Sequence, residues 1–265
     1  MLTRRSLLKP LTLTAALAAT LSPLSAALFL TAGQLPTGTV RFDDSSTYDD
    51  AVASVATSVF GGSPARVSVG VNGNLNFSDD FHSSNTSLPG GVLRISPLWS
   101  DLVLYAGHGG SIVSYESPGA YLAVNWNGIN SLDQSPGAST ATFQAVIFGG
   151  NVSVNGASFA FGDIVFSYDS VGIPLDSGNS FGATVGINVG DGTYSPVPGT
   201  TDGLVSNAAK GALLPTDNHY ILFHPNASGG YVASVQTTAV PEPAEYAAVA
   251  GLALVAFGTW RRTRR

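Results

Sequence analysis

Residues 66–77 read RVSVGVNGNLNF, and this stretch decides the fold class. Its apolar positions alternate with small or polar ones, at Val67, Val69, Val71, Leu75 and Phe77. Such a two-residue period is typical of a half-buried strand. The pair Asn72-Gly73 interrupts the alternation, and an Asn-Gly pair between two strand patterns is a strong hairpin signal, because both turn positions then take positive φ. The stretch therefore predicts a β-hairpin that turns at residues 72–73.

Similar strand patterns recur along the chain at spacings of about 10 residues, with turn-forming residues between them. They predict strands at residues 92–105, 112–115, 121–126, 140–148, 158–168, 181–189, 220–223 and 231–235. Hairpin connections are expected at residues 116–119 and 226–230. Residues 51–60 fit either a helix or a strand, and no helix of convincing length is expected between residues 61 and 240. The pattern predicts an all-β fold, specifically an antiparallel β-sandwich.

The beginning of the chain has the composition of a secretory signal peptide. Arg4, Arg5 and Lys9 supply positive charge, and the largely apolar residues 11–30 follow them. Because residues 25–27 are small enough for a signal peptidase, we expect residues 1–27 to be removed and residues 28–239 to form the mature domain. The paired arginines also resemble the twin-arginine export motif, so this route and the general secretory route both stay open.

The last 26 residues, 240–265, read VPEPAEYAAVAGLALVAFGTWRRTRR. Each proline of Pro241-Glu242-Pro243 fixes φ and restricts the residue before it, so the tripeptide is stiff and extended. Residues 246–260 form an uncharged, mostly apolar run of 15 residues. As a helix this run is about 22 Å long, short of the ~30 Å hydrocarbon core of a bilayer. A cluster of arginines ends the chain, at Arg261, Arg262, Arg264 and Arg265.

This order of a Pro-Glu-Pro motif, a short apolar helix and an arginine cluster resembles the PEP-CTERM sorting signal of Gram-negative bacteria. The resemblance implies that residues 240–265 are a single-helix sorting segment that an exosortase-type membrane protease removes. The protein would then associate with the inner membrane only transiently, before it reaches the cell surface or the extracellular matrix. The alternative is an ordinary C-terminal membrane anchor, whose arginines would hold the end on the cytoplasmic side.

The charge of the expected mature domain differs sharply from that of the whole chain, whose formal net charge is −6. Residues 28–239 keep four basic residues and 15 acidic ones, which gives a net charge of −11. Nucleic-acid binding needs clustered lysine and arginine, so nucleic acid is not an expected partner. The chain has no cysteine, which excludes disulfides, thiolate nucleophiles and cysteine-ligated metal sites.

Five segments of the chain share an order and spacing with a known extracellular domain. They are RVSVGVNGNLNF at residues 66–77, ISPLWSD at 95–101, YLAVNW at 121–126, TFQAVIF at 142–148 and GDIVFSY at 162–168. In this order they resemble the NIDO domain, first described in nidogen, over about residues 42–189. Residues 190–235 have no obvious counterpart in that resemblance. It implies an extracellular matrix or adhesion setting, and it supplies no catalytic residues.

A possible catalytic motif surrounds Ser180, because residues 178–182 match Gly-x-Ser-x-Gly. Acid and base partners follow it in the order of some hydrolases, at Asp191, Asp202, Asp217, His219 and His224. The hydrolase motif requires a strand before the serine and a helix after it. Here a turn precedes Ser180 and a strand follows, so a glycine-rich turn is the favoured interpretation.

Metal-binding patterns are weak. The four histidines, His82, His108, His219 and His224, show no zinc-ligand spacing. Asp43, Asp44, Asp49 and Asp50 make a calcium loop conceivable, but the EF-hand spacing is missing and a solvated loop is favoured. Asp101 is expected to accept backbone N–H bonds at a strand end, with a ligand contact as the alternative. We expect no cofactor.

Four aromatic side chains, Trp99, Tyr105, Trp126 and Tyr194, could form a sugar-stacking platform, although aromatic residues of a sandwich are more often part of its core. Sequons for N-glycosylation begin at Asn76, Asn85, Asn151 and Asn226, and we expect them to stay unmodified in a bacterial protein.

The sequence therefore predicts an exported, non-enzymatic protein with a structural or adhesive role at the cell surface or in its matrix. Its expected partners are the export machinery, an exosortase and exopolysaccharide or cell-surface components. Two alternatives stay open, a carbohydrate-binding module of the exopolysaccharide matrix and a serine hydrolase that uses Ser180.

Overall fold

The computed structural model describes residues 28–59, 65–77, 88, 93–175, 182–190 and 192–238. The expected signal peptide, the expected sorting segment, Ser180, Asp191 and His82 lie outside these residues. Within the described part of the chain, the only helix is a single turn, and no helix is long and apolar enough to cross a membrane.

Strands account for nearly all of the regular structure. In chain order they are β1 (Thr39–Phe42), β2 (Tyr48–Asp49), β3 (Val52–Thr57), β4 (Ala65–Gly70), β5 (Asn74–Asn76), β6 (Arg94–Trp99), β7 (Leu102–Leu104), β8 (Ser111–Ser117), β9 (Tyr121–Ser131), β10 (Ala141–Phe148), β11 (Val152–Val154), β12 (Ala157–Phe159), β13 (Ile164–Val171), β14 (Ala183–Asn188), β15 (Tyr194–Pro196), β16 (Leu204–Val205), β17 (His219–Pro225) and β18 (Tyr231–Thr237). The helical turn α1 covers Lys210–Leu213.

The strands form two large antiparallel sheets. The first sheet has the order β1-β8-β9-β10-β13-β17-β18, with β7 also pairing with β9 and β2 with β7. The second sheet has the order β15-β14-β6-β5-β4-β3, with β16 also pairing with β14. Strands β11 and β12 form a separate hairpin. The predicted all-β, antiparallel class is confirmed, and the arrangement is consistent with a β-sandwich.

The two sheets share one hydrophobic core. Its members come from both sheets and include Val67, Leu75 and Ile95 of the second sheet and Phe143 and Phe166 of the first. Full burial of each such side chain contributes about 1.5–3 kcal/mol to folding. Trp126 and Tyr168 are the largest side chains in this core that carry a polar atom. The Trp126 indole and the Tyr168 hydroxyl each donate a hydrogen bond across the core, so their burial leaves neither donor unsatisfied.

The hairpin predicted at residues 66–77 is present, but its turn differs from the expectation. Gly70 pairs with Asn74, so the connection has three residues rather than two. Only Gly73 has positive φ, at 75°, and Asn72 does not. A three-residue connection ends in one left-handed glycine, which is why a single position needs positive φ. The alternating polar positions Asn74 and Asn76 are buried as well, so both faces of β5 are covered.

Several predicted segments prove to be divided differently. The ambiguous residues 51–60 contain strand β3. Two strands, β6 and β7, replace the single one predicted over residues 92–105, and the predicted strand over residues 158–168 is divided between β12 and β13. The turn between β11 and β12 is Asn155-Gly156, with φ of 53° and 73°. This Asn-Gly pair adopts the two-residue turn that the sequence predicts for residues 72–73.

A second, smaller core covers the outer face of the first sheet. Phe29 and Leu30 are buried in it against Phe148, Phe159 and Tyr220. Polar side chains of the sheet hold the backbone of this segment. The Phe29 N–H donates to Ser167 Oγ at 2.9 Å, the Leu30 N–H donates to Gln144 Oε1 at 2.9 Å, and Gln144 Nε2 donates to the Leu30 carbonyl at 3.0 Å. The residues that follow the expected signal peptide are therefore part of the fold.

Candidate functional site

A buried carboxylate and an exposed imidazole are paired near one end of the first sheet. Asp163 directly precedes β13, and His224 lies in β17. Because Ile164 pairs with Phe223 in antiparallel register, the residues just outside this pair come together. His224 Nδ1 lies 2.6 Å from Asp163 Oδ1. Asp163 is only 3% exposed, whereas the His224 side chain is 60% exposed.

The hydrogen bonds of Asp163 fix the orientation of the histidine ring. The second carboxylate oxygen of Asp163 accepts the Ala160 N–H at 2.8 Å, which holds the carboxylate in the turn before β13. A carboxylate only accepts hydrogen bonds, so His224 Nδ1 donates the proton in this contact. In the neutral ring the other nitrogen, Nε2, then carries the lone pair and can accept a hydrogen bond or a proton.

The paired residues line a groove of about 410 Å³. We call it the Asp163–His224 groove. Its polar lining residues are Asn151, Ser153, Ser158, Asp163 and His224, and Val152, Phe159, Ala160 and Leu222 supply the apolar part. The polar groups come from the β11–β12 hairpin and the residue before it, from the turn before β13 and from strand β17, so three separate parts of the chain build the groove. Its volume lies within the range of about 300–1,000 Å³ that is typical of small-molecule sites.

The hydroxyl groups in this groove are paired with each other. Ser153 Oγ and Ser158 Oγ are 3.2 Å apart across the β11–β12 hairpin. Among the described residues, no serine hydroxyl is hydrogen-bonded to His224. A serine nucleophile needs its base within hydrogen-bond reach. The groove therefore has the components of a polar binding site and lacks an assembled catalytic triad in the described residues.

The residues that form this groove belong to a part of the chain that matches a known protein family. A family model described as NIDO related matches residues 37–225. The chain belongs to the NIDO-related family. The match extends beyond the resemblance at residues 42–189, so residues 190–225, which have no counterpart in that resemblance, belong to the NIDO-related domain. No curated protein and no solved structure matches the chain.

The tryptophans of the possible sugar platform lie inside the NIDO-related domain. Trp126 is fully buried and stacks on Phe143, with ring centroids 5.0 Å apart. Trp99 is also buried, and the guanidinium carbon of Arg94 lies 3.8 Å from its ring centroid. Tyr105 is partly buried and donates its hydroxyl to the Leu132 carbonyl at 3.0 Å. The favoured interpretation of the tryptophans as core residues is confirmed.

Three carboxylates of the NIDO-related domain converge beside β7. Asp49, Asp50 and Asp101 each have an oxygen within 4.8 Å of the others. Burial, followed by the charge of Asp50, raises the pKa of Asp49. Burial, followed by Asp49, Asp50 and Asp133, raises the pKa of Asp101. Carboxylate oxygens are the ligands that hard divalent cations such as calcium use. A bound cation would also reduce the mutual repulsion of these three carboxylates.

The fold divides the acidic loop of residues 43–50. Asp43 accepts hydrogen bonds from the backbone and hydroxyl of Ser45, and Asp44 accepts the Gly109 N–H at 2.9 Å. Asp49 and Asp50 lie instead with Asp101, which follows β6 and is about 50 positions away in sequence. Sequence spacing alone carries no signal of this long-range grouping.

The other histidines described are separate from the groove. His219 begins β17, and its Nδ1 lies 2.9 Å from the Asp217 carbonyl and 3.2 Å from that of Thr216. His108 lies edge-on to Tyr105, with ring centroids 6.3 Å apart. In β17 the residues Ile221 and Phe223 belong to the shared core, so the alternation places His224 on the opposite, outer face.

Proposed function

We propose that this protein is an exported structural or adhesive component of the cell surface or its surrounding matrix. The observation that carries the proposal is membership of the NIDO-related family over residues 37–225, because the NIDO domain is an extracellular, adhesive type of domain. The cysteine-free composition and the excess of acidic residues are compatible with such a setting. A net charge far from zero favours solubility outside the cell.

The proposed route to the surface uses both ends of the chain. Residues 1–27 direct export and are removed, and an exosortase then cleaves near Pro241-Glu242-Pro243 after the apolar helix and its terminal arginines have held the chain in the inner membrane. The sequence order at residues 240–265 supports this step. An ordinary C-terminal anchor is the alternative, and the two differ in whether the arginines remain on the mature protein.

The adhesive role is tested with protein recovered from the surface of native cells. We expect this protein to attach to isolated extracellular matrix or to cell surfaces with a Kd between about 1 mM and 1 μM, which corresponds to roughly −4 to −8 kcal/mol. Attachment should persist in Ser180→Ala, since the proposed role involves no nucleophile. A failure to attach to either material, with and without calcium, would contradict the adhesive role.

Binding of carbohydrate is a second candidate function, and the Asp163–His224 groove is the observation that favours it. The aromatic platform considered from the sequence consists of Trp99, Tyr105, Trp126 and Tyr194, and its two tryptophans are buried, so they cannot stack on a ligand from outside. The groove offers a different set of residues, with a volume suited to a small ligand and polar groups on three elements.

A further inference from the structure

We propose that the Asp163–His224 groove binds neutral sugar residues of an extracellular polysaccharide. This assignment rests on the proposed extracellular role, and it names both the site and the chemical class of the ligand. The residues that carry it are Asn151, Ser153, Ser158 and His224, supported from below by Asp163.

The chemical character of the groove matches a polyhydroxylated ligand. An asparagine amide and serine hydroxyls both donate and accept hydrogen bonds, as sugar hydroxyls do. His224 Nε2 adds an acceptor whose position is fixed, because the Nδ1 side of the ring is held by Asp163 at 2.6 Å. A site that is ordered before the ligand arrives loses less conformational entropy on binding.

The burial of Asp163 is the strongest indication that the Asp163–His224 pair is a specific structural feature and not a chance surface contact. A carboxylate that is 3% exposed is costly to bury unless it is hydrogen-bonded. Asp163 receives two hydrogen bonds, one from the Ala160 backbone and one from His224. The histidine, in contrast, keeps most of its surface open to the groove and solvent. The buried group therefore serves to orient the exposed one.

The charge of the groove selects neutral ligands over anionic ones. No lysine or arginine is among its described lining residues, and its one carboxylate would repel a uronate or a phosphate. The mature domain as a whole has a net charge of −11, which disfavours approach of an anionic polymer. A neutral hexose unit avoids both penalties.

An exposed aromatic side chain lies in the turn that forms one wall. Phe161 is 57% exposed and lies in sequence between Ala160 and Asp163, which both line the groove, although Phe161 is not itself among the lining residues. An exposed phenyl ring one residue away from the groove lining is a candidate for stacking on the apolar face of a pyranose, and the variant Phe161→Ala tests this. The described residues that line the apolar cavity of about 280 Å³ near Tyr231 include no comparable set of polar groups, so the Asp163–His224 groove is the better candidate.

The test is a titration of the ¹⁵N-labelled protein with a panel of neutral oligosaccharides, namely β-glucan, mannan and galactan fragments, and with uronate oligosaccharides of equal length. We expect at least one neutral ligand to shift the amide signals of residues 151–163 and 222–224. Ser158→Ala and Phe161→Ala, both at exposed positions, should each raise its Kd at least tenfold, and His224→Ala should do the same. His219→Gln is the matched control, because it changes an exposed histidine of the same strand outside the groove, and its Kd should equal that of the wild type.

The outcomes separate this assignment from the adhesive role. If native matrix captures the wild type and the three groove variants equally well, the adhesive role stands and the groove assignment fails. If matrix captures none of them but a neutral ligand shifts the groove signals, the assignment stands and the adhesive role fails. No shift with any neutral ligand, a uronate that binds as tightly, or variants with unchanged Kd would each overturn the assignment.

Discussion

Trp126 in the first sheet donates its indole N–H to the Gly70 carbonyl in the second sheet, at 2.9 Å, across the shared core. Tyr168 makes an equivalent bond from the same sheet, with its hydroxyl 2.6 Å from the Pro97 carbonyl. Both side chains are fully buried. Each therefore combines a large apolar surface with a fixed hydrogen bond, and together they set how the two sheets meet.

Trp126→Phe should destabilise the domain by about 2–4 kcal/mol, because it leaves a cavity and removes the buried N–H donor. Tyr168→Phe is the matched change, since it removes a hydroxyl but little volume, and it should cost about 1–2 kcal/mol. Equilibrium urea unfolding of both variants measures the two values. An equal or smaller loss for Trp126→Phe would contradict the assignment of Trp126 as a core residue.

Strands could be predicted where a local alternation of apolar and polar residues identifies them. They could not be predicted where the strand is too short to show this alternation and is defined only by its pairing with another strand. The alternation at residues 66–77 identified β4 and β5, because one face of each strand enters the shared core. The hairpin around Asn155-Gly156 was missed, because its strands have only three residues each and show too little alternation to recognise. The Asn-Gly pair itself was the available signal, and it adopts the turn that this pair favours.

The candidate site could not be predicted from spacing. Asp163 and His224 are 61 positions apart, and they meet only because Ile164 pairs with Phe223 when β13 and β17 align. The sequence indicates His224 only as a partner of Ser180, and it gives no sign of the buried carboxylate that orients the ring. Register between non-consecutive strands depends on the whole sheet, and short motifs do not encode it.

Gly73→Val should destabilise the domain by at least about 3 kcal/mol, because valine is strained at positive φ and has no room there. The φ of Gly73 is 75°, and a Cβ atom at this position would lie 2.2 Å from the Leu98 carbonyl oxygen. Gly119→Val separates the two effects, since its φ is 70° but no atom lies within 4 Å of the added Cβ. Thermal unfolding followed by circular dichroism would show the difference, and equal losses for the two variants would exclude the steric contribution at Gly73.

Phe29→Ala should cost about 3–5 kcal/mol, because it empties a buried site on the outer face of the first sheet. Phe29 is 2% exposed and packs against Phe159 at a ring-centroid distance of 5.3 Å. Thr37→Ala, in the exposed part of the same segment, should be neutral within about 0.5 kcal/mol. Urea unfolding of the purified protein measures both changes. N-terminal sequencing should also find Leu28 first, and a start beyond Leu30 would contradict the role of this segment.

Asp101→Asn should stabilise the protein at pH 7, by less than about 1 kcal/mol after solvent screening. The pKa values of Asp101 and Asp49 are raised in the folded state by burial and then by neighbouring carboxylates. A carboxyl group whose folded-state pKa is raised lowers stability above that pKa, and the loss disappears as the pH falls through it. The melting temperature of Asp101→Asn should therefore exceed that of the wild type by a few degrees at pH 7. The difference should vanish near pH 3, and a lower melting temperature at pH 7 would show that the carboxylate contributes a stabilising contact.

Mass spectrometry of the protein from native cells should find a C-terminus within residues 241–244. The apolar run of 15 residues is short for a permanent span, whereas a transient anchor needs to hold the chain only until cleavage. The Pro241-Glu242-Pro243 motif lies in sequence between β18, the last described strand, and this apolar run. Replacing all three residues of the motif with alanine should leave the apolar run and the arginines in place but stop cleavage, so that the protein stays in the membrane fraction. Recovery of wild-type protein that still ends at Arg265 as the main species would support the ordinary C-terminal membrane anchor and contradict exosortase processing.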